Sequence, residues 1–200
     1  LKGAMMSNTD KAKPQADDKG LNTLLGTTKQ TSTDIIANDE ITNSLIALGQ
    51  GNKLRQFGDN FTIHNGDRKS EIINTAGKVA MILIDNMHQP ANIGIYTPNS
   101  DKPIEVTDPS QPSAFVIGSL NLDSDWYAVN NLADGIALYK ALIDQGLNVT
   151  ILVSINPFHF NNMVKHFAEV KQVIVAATID KKDEITKPLL GANVKAIITT

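Results

Sequence analysis

Apolar and polar positions divide the chain into three stretches. From Ser7 to about Ser32 the residues are mostly Lys, Asp, Thr, Gln and Asn, with only Leu21, Leu24 and Leu25 as large apolar side chains. That is too little apolar surface to offset the entropy of ordering, so this tail is expected to be flexible. Leu1 to Met5, ahead of Met6, reads as a remnant of cloning and is set aside with it as residues 1–32. Next, Ile35, Ile36, Ile41, Leu45, Ile46 and Leu48 recur at helical spacing, which predicts a helix capped by Asp34 and stopped by Gly49. Short β-like runs follow at Phe61–His64, Val79–Ile84 and Ala91–Tyr96. Turn formers at Asn65-Gly66, Ala76-Gly77 and Gln89-Pro90 separate them, the pattern of an antiparallel meander. Pro98, Pro103, Pro109 and Pro112 then mark a connection from Thr97 to Pro112, because proline fits neither a helix interior nor a central strand.

Past that connection the period changes. Ala114–Gly118 and Trp126–Val129 read as strands, and Leu132–Gln145 as a helix with a Leu132, Ile136, Tyr139, Ile143 stripe ended by Gly146. Val149–Val153 is a continuous apolar strand. Pro157 opens a helix through Phe158, Phe160, Met163, Val164 and Phe167, and Val173–Ala177 is another buried strand. Val194–Thr199 reads as a further strand with no closing helix, so this unit is expected to be truncated at its C-terminus. The expected fold is therefore α+β: a helix and β-rich segment over 33–112, then an α/β, Rossmann-like, mostly parallel sheet over 113–200.

Composition narrows the function. Apolar residues make up 42% of the chain and charged residues 20%, and no apolar run reaches the ~18 residues of a membrane span, so no membrane role is expected. With 18 Lys and Arg against 21 Asp and Glu, any nucleic-acid contact must be focal. There is no cysteine, hence no disulfide, thiolate zinc site or cysteine nucleophile, which fits a cytoplasmic protein. His64, His88, His159 and His166 lack metal-ligand spacing, and no nucleophile elbow, phosphate-binding loop or dinucleotide turn occurs.

In an open α/β sheet, ligands bind beyond the carboxyl ends of the strands. Those ends are Asn130-Asn131, Ser154-Ile155-Asn156 and Thr178-Ile179-Asp180, with Asp134, Asp183 and Glu184 nearby. Asp180, Asp183 and Asp134 are the carboxylates that could hold Mg²⁺, a weak set. Lys181, Lys182 and Lys187 near this edge, and Lys53, Arg55, Arg68 and Lys69 earlier, are the cations available to phosphates. Phe158 and Phe160 could stack on bases, although their helical setting favours core packing.

From Ala114 onward, the runs AFVIGSL, WYAVNNLADGIALYKAL, VTILVSINPFHFNNMVKHF and KQVIVAATIDKKDE resemble the Toprim region of primases from phages, satellite phages and plasmids. The order of elements carries the likeness: an apolar strand before Gly, a strand ending in Glu-Gly, a helix opening with Ala-Thr-Ala or Asp-Ala, a strand into an Asn turn, and a strand ending in Asp-x-Asp. Ala133 and Asp134 match the helix opening, and Asn156 matches the turn. The departures are Asn130, where the family has its catalytic Glu, and Thr178, where it has the first aspartate, leaving Asp180. The segment GQGNKLRQFGDNFTIHNGDRKSEII is similar in placement to the part preceding Toprim.

The resemblance implies a primase-like module of a mobile-element replication protein. It would bind DNA, single-stranded or forked, through Lys181, Lys182, Lys187 and Asn156, or dock a replication protein such as a helicase. Catalysis would be lost, since an amide cannot carry the proton that the glutamate moves. Two alternatives stand beside it: an active Mg²⁺-dependent primase using Asp180 with Asp134 and Asp183, and a protein-interaction scaffold with no nucleic-acid role. The arrangement in space of Asn130, Asp134, Thr178, Asp180 and Asp183 discriminates among them; oligomeric state is not readable from the chain.

Overall fold

A computed structural model describes residues 39–56, 61–63, 71–73 and 77–199. The expected tail, the Asp34 cap, His64, Asn65-Gly66, Arg68 and Lys69 lie outside these residues. Helix α1 (Glu40–Ala47) begins at Asp39, whose carboxylate accepts from Thr42 N at 2.8 Å and from the Thr42 hydroxyl at 2.9 Å. The cap of the described helix is thus Asp39, an N-cap acceptor for a backbone donor that the helix itself leaves unpaired. The helix ends at Leu48, and Gly49 follows at φ 76, a conformation that glycine adopts without a Cβ clash.

A 3-10 turn (Gly51–Lys53) leads into β1 (Leu54–Gln56), a strand the apolar pattern does not predict. β2 (Phe61–Ile63) and β3 (Glu71–Ile73) pair antiparallel as a separate ribbon. β4 (Val79–Ile84), β5 (Pro90–Tyr96) and β6 (Glu105–Val106) form an antiparallel meander with β1, in the order β1-β4-β5-β6. β6 lies inside the proline-bearing connection, which is therefore not structureless: Asn92, fully buried, organises it. The Asn92 amide nitrogen donates to Asp108 O and Gln111 O, and its oxygen accepts from Asp108 N and the Thr107 hydroxyl.

The second sheet has the order β11-β10-β8-β9-β7 and contains β7 (Phe115–Ile117), β8 (Asp125–Val129), β9 (Val149–Val153), β10 (Val173–Thr178) and β11 (Val194–Thr199). Four of its strands are parallel, and β7 runs antiparallel to β9. α2 (Leu132–Asp144) links β8 to β9; a 3-10 turn (Pro157–His159) and α3 (Phe160–Ala168) link β9 to β10. α4 (Lys182–Thr186) and a 3-10 turn (Lys187–Leu189) link β10 to β11. The chain is thus a mixed α/β protein with a mostly parallel second sheet.

Alternation along these strands assigns their faces. Tyr127, Val129, Ile151 and Val153 pack with Leu132 and Ile136 of α2, whereas Trp126, Ala128 and Leu152 pack with Met163, Val164 and Phe167 of α3. In the predicted stripe Ile143 is 37% exposed, and Leu142 packs on the core in its place. The larger miss is Phe158, 93% exposed: the residues after Pro157 form a 3-10 turn before α3, and its register turns Phe158 away from the sheet.

The two sheets share one core and one edge. Leu45, Leu54, Val79, Met81 and Leu83 pack in the same cluster as Phe115, Ile117, Leu132, Ile136, Ile151 and Val153. On β4, Met81 pairs with β1, and three residues on Ile84 exchanges backbone hydrogen bonds with Ala114 at 2.9 and 3.0 Å. Beyond Ala114 the outer edge of β7 meets side chains. Lys53 Nζ donates to Val116 O at 2.6 Å and to Gly118 O at 2.7 Å, and Gly118 N donates to Gln50 Oε1 at 3.1 Å. Lys53 is therefore a part of the fold and not a surface cation for phosphates, and Arg55, buried, donates to Asn52 O and Leu54 O.

Lys53→Met leaves two strand carbonyls without their donor and should lower stability by about 1–3 kcal/mol, read as a drop in the urea midpoint at unchanged slope. An unchanged midpoint would mean that the edge does not need the lysine. Tyr96 gives a second expectation. Its hydroxyl donates to buried Asp39 at 3.2 Å, and burial, followed by the Asp39 charge and that bond, pushes its pKa up to about 12. The protonated phenol favours the folded state, so this contribution is complete below about pH 10 and is lost as pH rises toward 12. Tyr96→Phe should flatten alkaline unfolding in that window relative to wild type, followed by circular dichroism.

Candidate functional site

β8 connects outward to β9 on one side, and β10 connects outward to β11 on the other. The order therefore reverses between β8 and β10, and the crevice beyond their carboxyl ends is the ligand position such sheets offer. A cavity of about 400 Å³ lies there, large enough for a small ligand. Asn130 and Asp134 line it from β8 and α2, Thr178 and Lys181 from β10 and the turn after it, and Leu138 and Phe160 supply apolar walls from α2 and α3.

Local sequence explains the β8 side. Asn131 is the N-cap of α2: its Oδ1 accepts from Asp134 N at 2.8 Å, while its Nδ2 donates to Asp134 Oδ2 at 2.7 Å and to Asn130 Oδ1 at 3.2 Å. The exchange satisfies an orphan helix donor and holds the Asp134 carboxylate at the helix start, where the macrodipole favours a negative charge. One residue on, a Cβ at Gly135 would stand 2.8 Å from Val153 Cγ2, so glycine lets α2 sit close on the sheet and brings its first turn to the strand ends.

Asp180 is elsewhere: it does not line the cavity, and its carboxyl is fully exposed. A hydrogen bond from the Thr178 side chain, then backbone bonds and the Lys181 charge, hold its pKa below the ordinary aspartate range. Asp183 stands in the exposed first turn of α4, Lys182 opens that helix, and Lys187 opens the 3-10 turn after it, all three exposed. Among the described residues no three His, Asp or Glu side chains gather as metal ligands. One carboxylate in the crevice, already bonded to an amide, does not fit a Mg²⁺ ion held by paired protein carboxylates.

The structure thus brings Asn130, Asp134, Thr178 and Lys181 together, and leaves Asp180, Asp183, Lys182 and Lys187 off the cavity lining. Asn156 lines a different hollow with Ser154, Ile155 and His159, and its side chain accepts from Phe158 N at 3.0 Å to shape the turn after β9. Phe160 stands in the helix predicted after Pro157, whereas Leu138 lies off the predicted stripe of its helix; neither is readable as a crevice wall, because helix facing depends on how α2 and α3 dock.

Thr178→Val removes the hydroxyl that bonds to the Asp180 carboxylate. The Asp180 pKa should rise toward its ordinary value, measured by carboxyl NMR titration, with the fold unchanged. A titration identical to wild type would mean that backbone groups and Lys181 alone set it.

No helix among the described residues is long and apolar enough to cross a membrane. No family model matches the sequence, and no curated protein matches it. Among solved structures, the chain is similar to the crystal structure of a DNA primase domain from Pseudomonas aeruginosa, at 17% identity and a TM-score of 0.42. The match covers 69% of this chain and 48% of that one, so this chain spans about half the length of that primase domain.

Proposed function

We propose that the chain is a primase-like module, a degenerate relative of the Toprim domains of mobile-element primases. In this reading the crevice beyond β8 and β10 binds DNA and no longer performs Mg²⁺-dependent nucleotidyl transfer. The observation that carries it is the lining of that crevice: Asn130 and Thr178 face one hollow with Lys181, and Asp134 is its sole carboxylate. The resemblance puts a proton-transferring glutamate and a metal-holding aspartate at the first two positions. An amide and a hydroxyl in their place keep hydrogen-bonding capacity but neither move a proton near neutral pH nor bind Mg²⁺ firmly. Removing clustered carboxylates also removes repulsion toward a phosphate backbone. The elements expected from the resemblance, β7, β8, α2, β9, the Asn156 turn and β10, occur in that order.

Lys181 lines the crevice, and exposed Lys182 and Lys187 follow it in the chain; in this reading they are the cations that meet phosphates. Asp180, Asp183 and Glu184 are interleaved with them, so the contact is short and specific in place, as net charge −3 requires. A replication protein such as a helicase would meet the same face when the module acts within a larger assembly.

Fluorescence anisotropy with single-stranded and forked DNA at about 50 mM salt tests the reading. Binding should weaken with salt, and a Lys181→Ala, Lys182→Ala double variant should bind more weakly, with a salt slope smaller by about 2. Primer synthesis with Mg²⁺ or Mn²⁺ should yield no product. Absence of salt-dependent binding would refute DNA binding at this face, and primer synthesis abolished by Asp180→Ala would refute the loss of catalysis.

A further inference from the structure

Among the described residues, Phe158 is the most exposed of the large apolar side chains, at 93%, and the one phenylalanine, tyrosine or tryptophan among those that are exposed. Its turn holds it there. Pro157 fixes the backbone at the start, and the Asn156 side chain accepts from Phe158 N at 3.0 Å. Asn156 O accepts from His159 N at 3.0 Å and from the Ser154 hydroxyl at 2.7 Å, and buried Ser154 directly follows β9. An aromatic ring is thus presented to solvent by a braced turn, which has little backbone freedom left to lose on binding.

The turn lies at the carboxyl end of β9, the end of a parallel sheet at which ligands bind. Phe160 is a wall of the crevice, and two residues of chain span at most ~7 Å, so the Phe158 backbone stands beside that wall. Asn156, His159 and Asn162 line the other hollow. From Asn148 to Ala168 there is no Asp or Glu, although the chain has 21, and Lys165 is the one Lys or Arg of that segment. No carboxylate of the segment repels a phosphate backbone.

We infer that Phe158 stacks on an unpaired base, so that this end of the sheet takes single-stranded DNA in preference to duplex, which rests on the reading of the crevice as a DNA site. Phosphates meeting the lysines hold either form of DNA. A base inside a duplex has both faces covered by its neighbours, and only a base out of the stack offers one to a ring. The polar company of the ring favours this occupant over an apolar groove of a partner protein. Such a groove would bury Asn156, His159 and Asn162 beside the ring without new partners, whereas a stacked base brings donors and acceptors on its edge to them. Every base has a π-face, so the selectivity is for strandedness and not for sequence.

Fluorescence anisotropy at low salt with three probes tests this: a short single strand, its duplex, and an abasic strand of the same length. The single strand should bind more tightly than the duplex. Phe158→Ala should weaken single-strand binding by about 5- to 100-fold at unchanged salt slope, and leave binding of the duplex and the abasic strand as it was. Phe158→Trp should bind the single strand as well as wild type and Phe158→Leu should not, which separates a ring face from apolar area alone. Phe158 is exposed, so all three variants should keep wild-type circular dichroism. Salt-dependent binding indifferent to Phe158→Ala, a loss as large on the abasic strand, or wild-type binding by Phe158→Leu overturns the stacking while DNA binding at the crevice stands. Absence of binding to all three probes overturns both.

Discussion

The contact on which this structure turns is a lysine ammonium placed against the outer edge of a strand. β7 pairs with β9 on one side; on the other it exchanges backbone bonds with β4 only at Ala114, and Val116 and Gly118 beyond it border hollows that Lys53 also lines. Lys53 and Gln50 meet Val116 and Gly118 there, from a turn that α1 and β1 hold in place. A part-buried carbonyl gains from a charged donor, so hydrogen bonds as well as packing join the meander to the parallel sheet. The shared cluster of Leu45, Leu54, Met81, Phe115 and Ile151 then seals the joint with apolar contact. The ammonium serves several acceptors at once: two carbonyls and the Gln50 side chain.

The same logic of local satisfaction governs the crevice. Asn131 cannot both cap α2 and hold Asp134 without fixing the first helical turn, and that turn is what brings Asp134 beside Asn130. On the facing strand, Thr178 lines the hollow while bonding to Asp180, whose carboxylate lies outside it. The result is a hollow at the switch point whose walls are mostly apolar, with Asn130, Asp134, Thr178, Lys181 and Thr199 as its polar members. Its charged members are one carboxylate and one ammonium, Asp134 and Lys181. Lys181, Lys182 and Lys187 are interleaved along the chain with Asp180, Asp183 and Glu184, so this exposed segment is near neutral.

Much was visible along the chain before any fold existed. The 3.6-residue period from Leu132 and the apolar runs at Val79–Ile84, Val149–Val153 and Val173–Ala177 match α2, β4, β9 and β10 closely, because periodicity and β-branched content act within a single segment. Short elements escaped: β1 and β6 have two or three residues each, too few for a period, and they exist because β4 and β5 offer them an edge. Phe158 and Ile143 were assigned to buried faces and are exposed, since a 3-10 turn shifts the phase at one and the last helical turn overhangs the sheet at the other.

By itself the sequence determined which segments extend or coil, and which letters stand at the strand tips: the amides of Asn130, Asn131 and Asn156 and the hydroxyl of Thr178. Only the tertiary structure decided that Asn130 and Thr178 open onto one hollow while Asn156 faces another, that Asp180 lies outside it, and that Lys53 serves a strand edge. The reason is physical. Propensity and polarity are properties of neighbours in the chain, whereas strand order, shared crevices and edge contacts are choices among segments tens of residues apart, made by whichever pairing leaves the fewest buried groups unsatisfied.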